Sequence, residues 1–136
     1  MTLIINTNIA RDFVTYMESQ DMGEFGEDIF IGGVGIDAPD RSWWLISDGG
    51  VPVTKNSTGE RQKRYTVSVY YRSDDHEDVA NRLEAFERLI NSKQCFSLEN
   101  YDIIEVEATV FPSDNDLDSE ERTVGMIEVS LIVYSQ

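Results

Sequence analysis

Basic residues are scarce in this chain. Lys and Arg total 11 against 26 Asp and Glu, which gives a net charge of -15 over 136 residues. Duplex nucleic acid is bound by neutralising its phosphates with Lys and Arg, so the chain as a whole repels it, and it repels anionic lipid surfaces as well. Cysteine is almost absent: Cys95 stands alone, which excludes an internal disulfide framework. His76 is the only histidine, and one His with one Cys falls short of a typical zinc ligand set. No apolar run approaches the ~18–20 residues of a membrane span. The first residues, Met1 to Asn6, lack both a basic region and an extended apolar region, so no secretory signal is read there and a soluble intracellular protein is expected.

What is present describes a globular chain. Hydrophobic residues make up 40% of it and aromatics 10%, enough for a core without metal or disulfide staples. A single domain spanning 1–136 is expected. Apolar residues at three- and four-residue spacing (Ile9, Phe13, Met17) predict a helix over Asn6–Ser19. Ile29–Val34 and Ser42–Ser47 read as strands separated by the turn residues Asp37-Ala38-Pro39-Asp40. Val51–Gln62 is polar, contains Pro52 and Gly59, and reads as a long loop, mobile in a free subunit and ordered by a neighbour. Tyr65–Tyr71 alternates as a strand, with Tyr65, Val67, Val69 and Tyr71 on one face.

Asp74–Ser92 is the clearest helix, with Val79, Leu83, Phe86 and Ile90 on its apolar stripe and capping-box spacing between Asp74 and Glu77. In the last third, Ile104, Val106, Ala108 and Val110 alternate inward, as do Ile127, Val129, Leu131 and Val133. The predicted fold is α+β: a mixed, mainly antiparallel sheet with two main helices packed on it, in the order α-β-β-β-α-β-β. Its core should contain Phe13, Val67, Val69, Leu83, Phe86, Val106, Val129 and Leu131.

The motifs that could carry chemistry fail on inspection. Gly33-Val34-Gly35-Ile36-Asp37-Ala38 has the spacing of a phosphate-binding turn, but Pro39-Asp40 and a strand follow where a helix N-terminus is needed. Asp114, Asp116 and Asp118 alternate like the start of a calcium loop, yet Ser119 and Gly125 occupy the positions that require Gly and Glu. His76 falls in the first turn of an acidic helix and reads as an exposed residue, with a Cys95–His76 dyad as the alternative. Cys95 enters an apolar segment, as an inert buried thiol does. The expectation is a non-enzyme with no cofactor and no metal.

Interaction residues are easier to nominate. Lys55, Arg61, Lys63 and Arg64 place four of the eleven cations in one short stretch, and Asp114, Asp116 and Asp118 make an acidic hairpin tip. Two complementary patches on one subunit suit a head-to-tail contact, which closes into a ring when the rotation permits. Trp43 and Trp44 must point to opposite faces of their strand, so one fills the core while the other is covered by a helix or offered to a partner.

Several strings together resemble the tail terminator proteins of long-tailed bacteriophages. They are the leading helix, Ile29–Val34, the Pro39-Asp40 turn, Trp44-Leu45-Ile46-Ser47-Asp48-Gly49-Gly50, Tyr65-Thr66-Val67-Ser68-Val69-Tyr70-Tyr71-Arg72, the helix Asp74–Ser92, and a closing strand pair. The resemblance implies a small α+β virion subunit. Such a subunit assembles as a homo-oligomeric ring, usually a hexamer, on the end of the tail tube. There it stops growth and meets the head-side connector protein. DNA passes through the ring without specific binding, no membrane is involved, and no catalytic residue is carried over. The competing expectation is a small acidic inhibitor or immunity-type protein that binds a basic partner.

Overall fold

Alternation and β-branching are strongest in the middle of the chain, and the longest strands form there. The computed structural model describes residues 9–33, 38–55, 61–92, 97–111 and 122–135. In chain order the elements are α1 (Ile9–Ser19), β1 (Ile29–Ile31), β2 (Ser42–Ser47), β3 (Val51–Lys55), β4 (Arg61–Ser73), α2 (His76–Asn91), β5 (Ile103–Phe111) and β6 (Thr123–Ser135). The sheet runs β1-β2-β4-β6-β5, and β3 pairs with β4 beyond the end of β2. Only β1 and β2 are parallel; every other pairing is antiparallel. The α+β expectation holds, with one strand more than the sequence pattern indicated.

That strand corrects the long loop expected over Val51–Gln62. Pro52 breaks the appearance of a strand, but a proline is tolerated on an edge strand, where its missing N–H faces no partner. Val51 pairs with Arg64 and Pro52 with Lys63, with a register shift before Thr54 pairs with Gln62. β2 and β3 are in effect one bent strand running along β4. The bend is built by Asp48, whose Oδ1 accepts from the N–H of Gly50 and of Thr66, both at 3.1 Å. Gly50 sits at φ +84°, and a Cβ there would lie 2.7 Å from the Tyr65 ring. Glycine is therefore required at this corner for both backbone and space.

The core lies between the two helices and one sheet face. Ile9, Phe13 and Met17 from α1 and Val79, Leu83, Phe86 and Ile90 from α2 join Trp43, Leu45, Val67, Val69, Ile127, Val129 and Leu131 in one cluster. Val106 is half-buried against that cluster. Ile104 departs from its expected inward alternation and is 42% exposed. The register explains it: Ile103 pairs with Val133 and Glu105 with Ile132, so Ile104 is the extra residue of a β-bulge. α2 is capped by Asp75, which accepts from Glu77 N–H at 3.0 Å. This corrects the expected Asp74 cap by one position; Asp74 instead pairs with Arg41 at 3.2 Å.

β5 is a sheet edge, and α2 closes part of it. The Asn91 side chain accepts from the Ala108 N–H at 2.9 Å and donates to the Ala108 carbonyl at 3.2 Å. Glu87 accepts from Val110 N–H at 3.3 Å. These bonds occupy backbone groups that would otherwise template pairing with another chain.

An ionic cluster ties α2 to β4 and to the residue before β2. Asp78 accepts from the Tyr71 hydroxyl, takes a bond from Arg82 at 3.3 Å, and lies 3.7 Å from Arg41. Burial alone would raise the Asp78 pKa, but bonds from Tyr71, Ser73 and Arg82 and the charge of Arg41 outweigh it, so it falls below the ordinary 3.8. A carboxyl with a lowered folded pKa contributes its stability above its unfolded value, and that stability disappears as pH falls through the folded one. Asp78→Asn is expected to cost on the order of 1 kcal/mol near neutrality and nothing at acid pH, where the parent carboxyl is protonated too. Urea titrations of both proteins at pH 7 and near pH 2 measure this. A difference that persists unchanged in acid would contradict it.

Candidate assembly surface

The bent strand carries its far end, the β3–β4 arm, beyond β2, so the arm is supported on one side only, by β6. Arg61 through Arg64 pair with Ser135 through Ile132 on that side. The other edge of β3 pairs with no strand among the described residues. Lys55, Arg61, Lys63 and Arg64 all fall on this arm, so the structure gathers the sequence-nominated cations on one hairpin. Arg64 is exposed, and Lys63 places its ammonium 5.9 Å from the centre of the Tyr65 ring. Neither forms an ion pair among the described residues.

The other described cations behave differently. Arg41 pairs with Asp74, Arg82 with Asp78, Arg88 with Glu84 and Arg122 with Asp40. Arg11 lies over the Phe25 ring at 4.2 Å, and buried Arg72 donates to the carbonyls of Ala38 and Pro39. Among the described residues, positive charge outside the arm is thus engaged within the subunit, and Arg64 of the arm is exposed without an ion pair.

The tryptophans divide as strand geometry demands. Trp43 is 2% exposed, packed 4.4 Å from the Tyr71 ring and edge-on to Phe86 at 5.5 Å. Trp44 faces the opposite side, which carries no helix among the described residues, and stacks on Tyr70, with ring centres 5.2 Å apart and planes within 7°. Trp43 is therefore a core residue and Trp44 the surface candidate. Asp114, Asp116 and Asp118 lie outside the described residues, as do Cys95, residues 34–37 of the glycine motif that spans 33–38, and the start of the first expected helix. Val51 and Val53, 57% and 39% exposed, are strand residues that the loop reading of Val51–Gln62 does not bring out.

At the root of the arm, on the helix side, Tyr65, Glu99, Asn100, Tyr101, Asp102, Val133 and Tyr134 line a cleft of about 350 Å³. Buried Asp12 of α1 anchors its wall, accepting from the Asn100 N–H and side-chain amide, both at 2.9 Å. Burial raises the Tyr101 pKa above 10, helped by Tyr65 and Asp12, so its hydroxyl stays protonated. Asp12 could not be singled out from sequence, because an acid on an amphipathic helix is ordinarily a solvated one. Among the described residues no three or more His, Cys, Asp or Glu side chains group as a metal site, and no helix is long and apolar enough to cross a membrane.

The model of a known family, bacteriophage tail terminator protein, matches residues 16–134. That span runs from Tyr16 inside α1 to Tyr134, one residue short of the end of β6. The chain belongs to the bacteriophage tail terminator family. A tail terminator is a structural component of the phage tail and of the virion, and this chain is one. No curated protein matches the sequence. In this tail terminator Arg64 of the β3–β4 arm is exposed, and the Trp44–Tyr70 stack lies on the sheet face opposite the core.

Proposed function

We propose that the subunit closes into a ring, six-membered as is usual in the family. The ring seats on the end of the tail tube at the neck, stops tube polymerisation, and offers its opposite side to the head-side connector. Assembly takes place in the host cytoplasm, and the function involves no catalysis. The observation that carries this reading, beside the family match, is the one-sided β3–β4 arm with Lys55, Arg61, Lys63 and Arg64 on an otherwise acidic subunit. With -15 on every copy, association works against like-charge repulsion, and a localised cationic arm sets where copies meet. Exposed ion pairs give only ~0.2–1 kcal/mol each, so they fix register while apolar contact supplies affinity. Acidic residues facing the lumen let DNA slide without adhering. Asp114, Asp116 and Asp118 are a candidate counter-surface for the arm.

Replacing Lys63 and Arg64 together by Glu is expected to shift the subunit from ring to monomer with its fold intact. Sedimentation at moderate salt and circular dichroism measure this, and electron microscopy of tubes grown with each protein reads the capping. A mutant ring of unchanged mass, or a parent that stays monomeric at high concentration with tube protein present, would refute the proposal. A monomeric parent that binds a basic enzyme would point to the inhibitor class.

A further inference from the structure

The register lines up five apolar residues from five strands in one row across the helix-free face. Phe30 pairs with Trp44, Trp44 with Tyr70, Tyr70 with Met126, and Met126 with Phe111. Five strands at about 4.8 Å spacing make this belt ~19 Å long. Phe111 is 43% exposed, and the other four are half-buried with no helix among the described residues above them. The next row adds Ile46, 46% exposed, and the exposed carboxylate of Glu128; exposed Glu107 stands one row further on β5. The belt is aromatic and its flank on β5 and β6 is acidic.

The β3–β4 arm has the converse character. Val51, 57% exposed, shares a row and a face with exposed Arg64, whereas Lys63, the next residue of β4, points to the helix side over Tyr65. Arm and belt lie on one sheet, separated along β4 by the six residues from Arg64 to Tyr70, or about 20 Å of strand. A rigid strand cannot fold its own arm back over its own belt, so the match is available only between copies.

We infer that the belt Phe30–Trp44–Tyr70–Met126–Phe111 is the seat for the β3–β4 arm of a second copy of this chain. Val51 packs on the aromatic rings, and Arg64, on the same face of the arm, faces Glu128 and Glu107. The inference rests on the ring reading above and gives it a specific contact. An arm from each copy seated on the belt of the next makes a heterologous contact that repeats around a ring. Desolvated aromatic anchors supply the affinity, and the charge pairs select the orientation.

The test uses two full-length variants. Val51→Asp with Arg64→Glu spoils the arm and leaves the belt; Phe111→Glu spoils the belt and leaves the arm. Each alone is expected to lose at least about tenfold in self-association, read by sedimentation velocity. Mixed one to one, they are expected to yield a species of two subunits, because one intact arm still meets one intact belt. Retention of the parental assembly by either variant overturns the inference, as does a mixture that stays monomeric. A parent that forms only a two-subunit species, lost in both variants, supports the seat and overturns the ring reading. A parent that never associates overturns both. Circular dichroism checks the folds. Should Phe111→Glu not fold, Glu107→Lys with Glu128→Lys replaces it at exposed positions. That variant should weaken association with the parental arm and recover it with an arm carrying Arg64→Glu; no recovery overturns the inference.

Discussion

Trp43→Ala is expected to remove about 3–5 kcal/mol of stability, the range for truncating a large aromatic in a core. Trp43 is 2% exposed and joins three elements: it pairs with Ile29 of β1 and Tyr71 of β4, and it meets Phe86 of α2 edge-on. Its loss leaves a void where the helix layer meets the parallel end of the sheet, and neighbouring strands cannot collapse into it without breaking register. A domain of this size is stable by only about 5–15 kcal/mol, so a third or more is at stake. Trp44→Ala is the control, since Trp44 keeps an open face and one stacking partner, Tyr70. It should cost no more than about 1 kcal/mol in a dispersed subunit. Urea unfolding of the two variants under conditions that keep the subunit monomeric compares them. Equal losses would mean that the assignment of faces is wrong.

Gly125→Val is the second large effect, and it acts through crowding. Gly125 lies in β6 opposite Tyr71, and α2 crosses directly above it. A Cβ built there would overlap Leu83 and stand 2.8 Å from Val79 Cγ1. Both are buried residues of the α2 stripe, so neither can swing into solvent. Inserting carbon into a packed core costs about 1–3 kcal/mol, and valine adds two methyl groups beyond the Cβ. The expected result is a marked loss of thermal stability, with Gly125→Ala intermediate. Leu83→Ala made together with Gly125→Ala should recover part of the loss, with a coupling of about 0.5–3 kcal/mol in the double-mutant cycle. Strict additivity would show that helix and strand do not meet there.

Where elements were long and strongly periodic, sequence and structure agree. The four-residue spacing of Val79, Leu83 and the residues beyond gave α2 its buried stripe, and the alternation of Val67, Val69 and Tyr71 gave β4 its inward face. Local patterns suffice there, because a face that must be buried leaves only one phase of the period available. The concentration of cations around Lys63 and Arg64 was equally visible.

Other features needed long-range pairing. Val51–Lys55 became a strand because β4 offered a partner edge, which outweighed Pro52 and the polar surroundings. A bulge turned Ile104 outward against its own alternation. Composition alone established an acidic chain without disulfides, and adjacency alone required that the two tryptophans part. Which of them lies inside was decided by where the helices pack, and Gly125 acquired its meaning only under α2. The belt from Phe30 to Phe111 draws on five strands whose order in the sheet differs from their order in the chain. Its residues share a row because backbone hydrogen bonds fix register between segments far apart in sequence, and no local pattern carries that information.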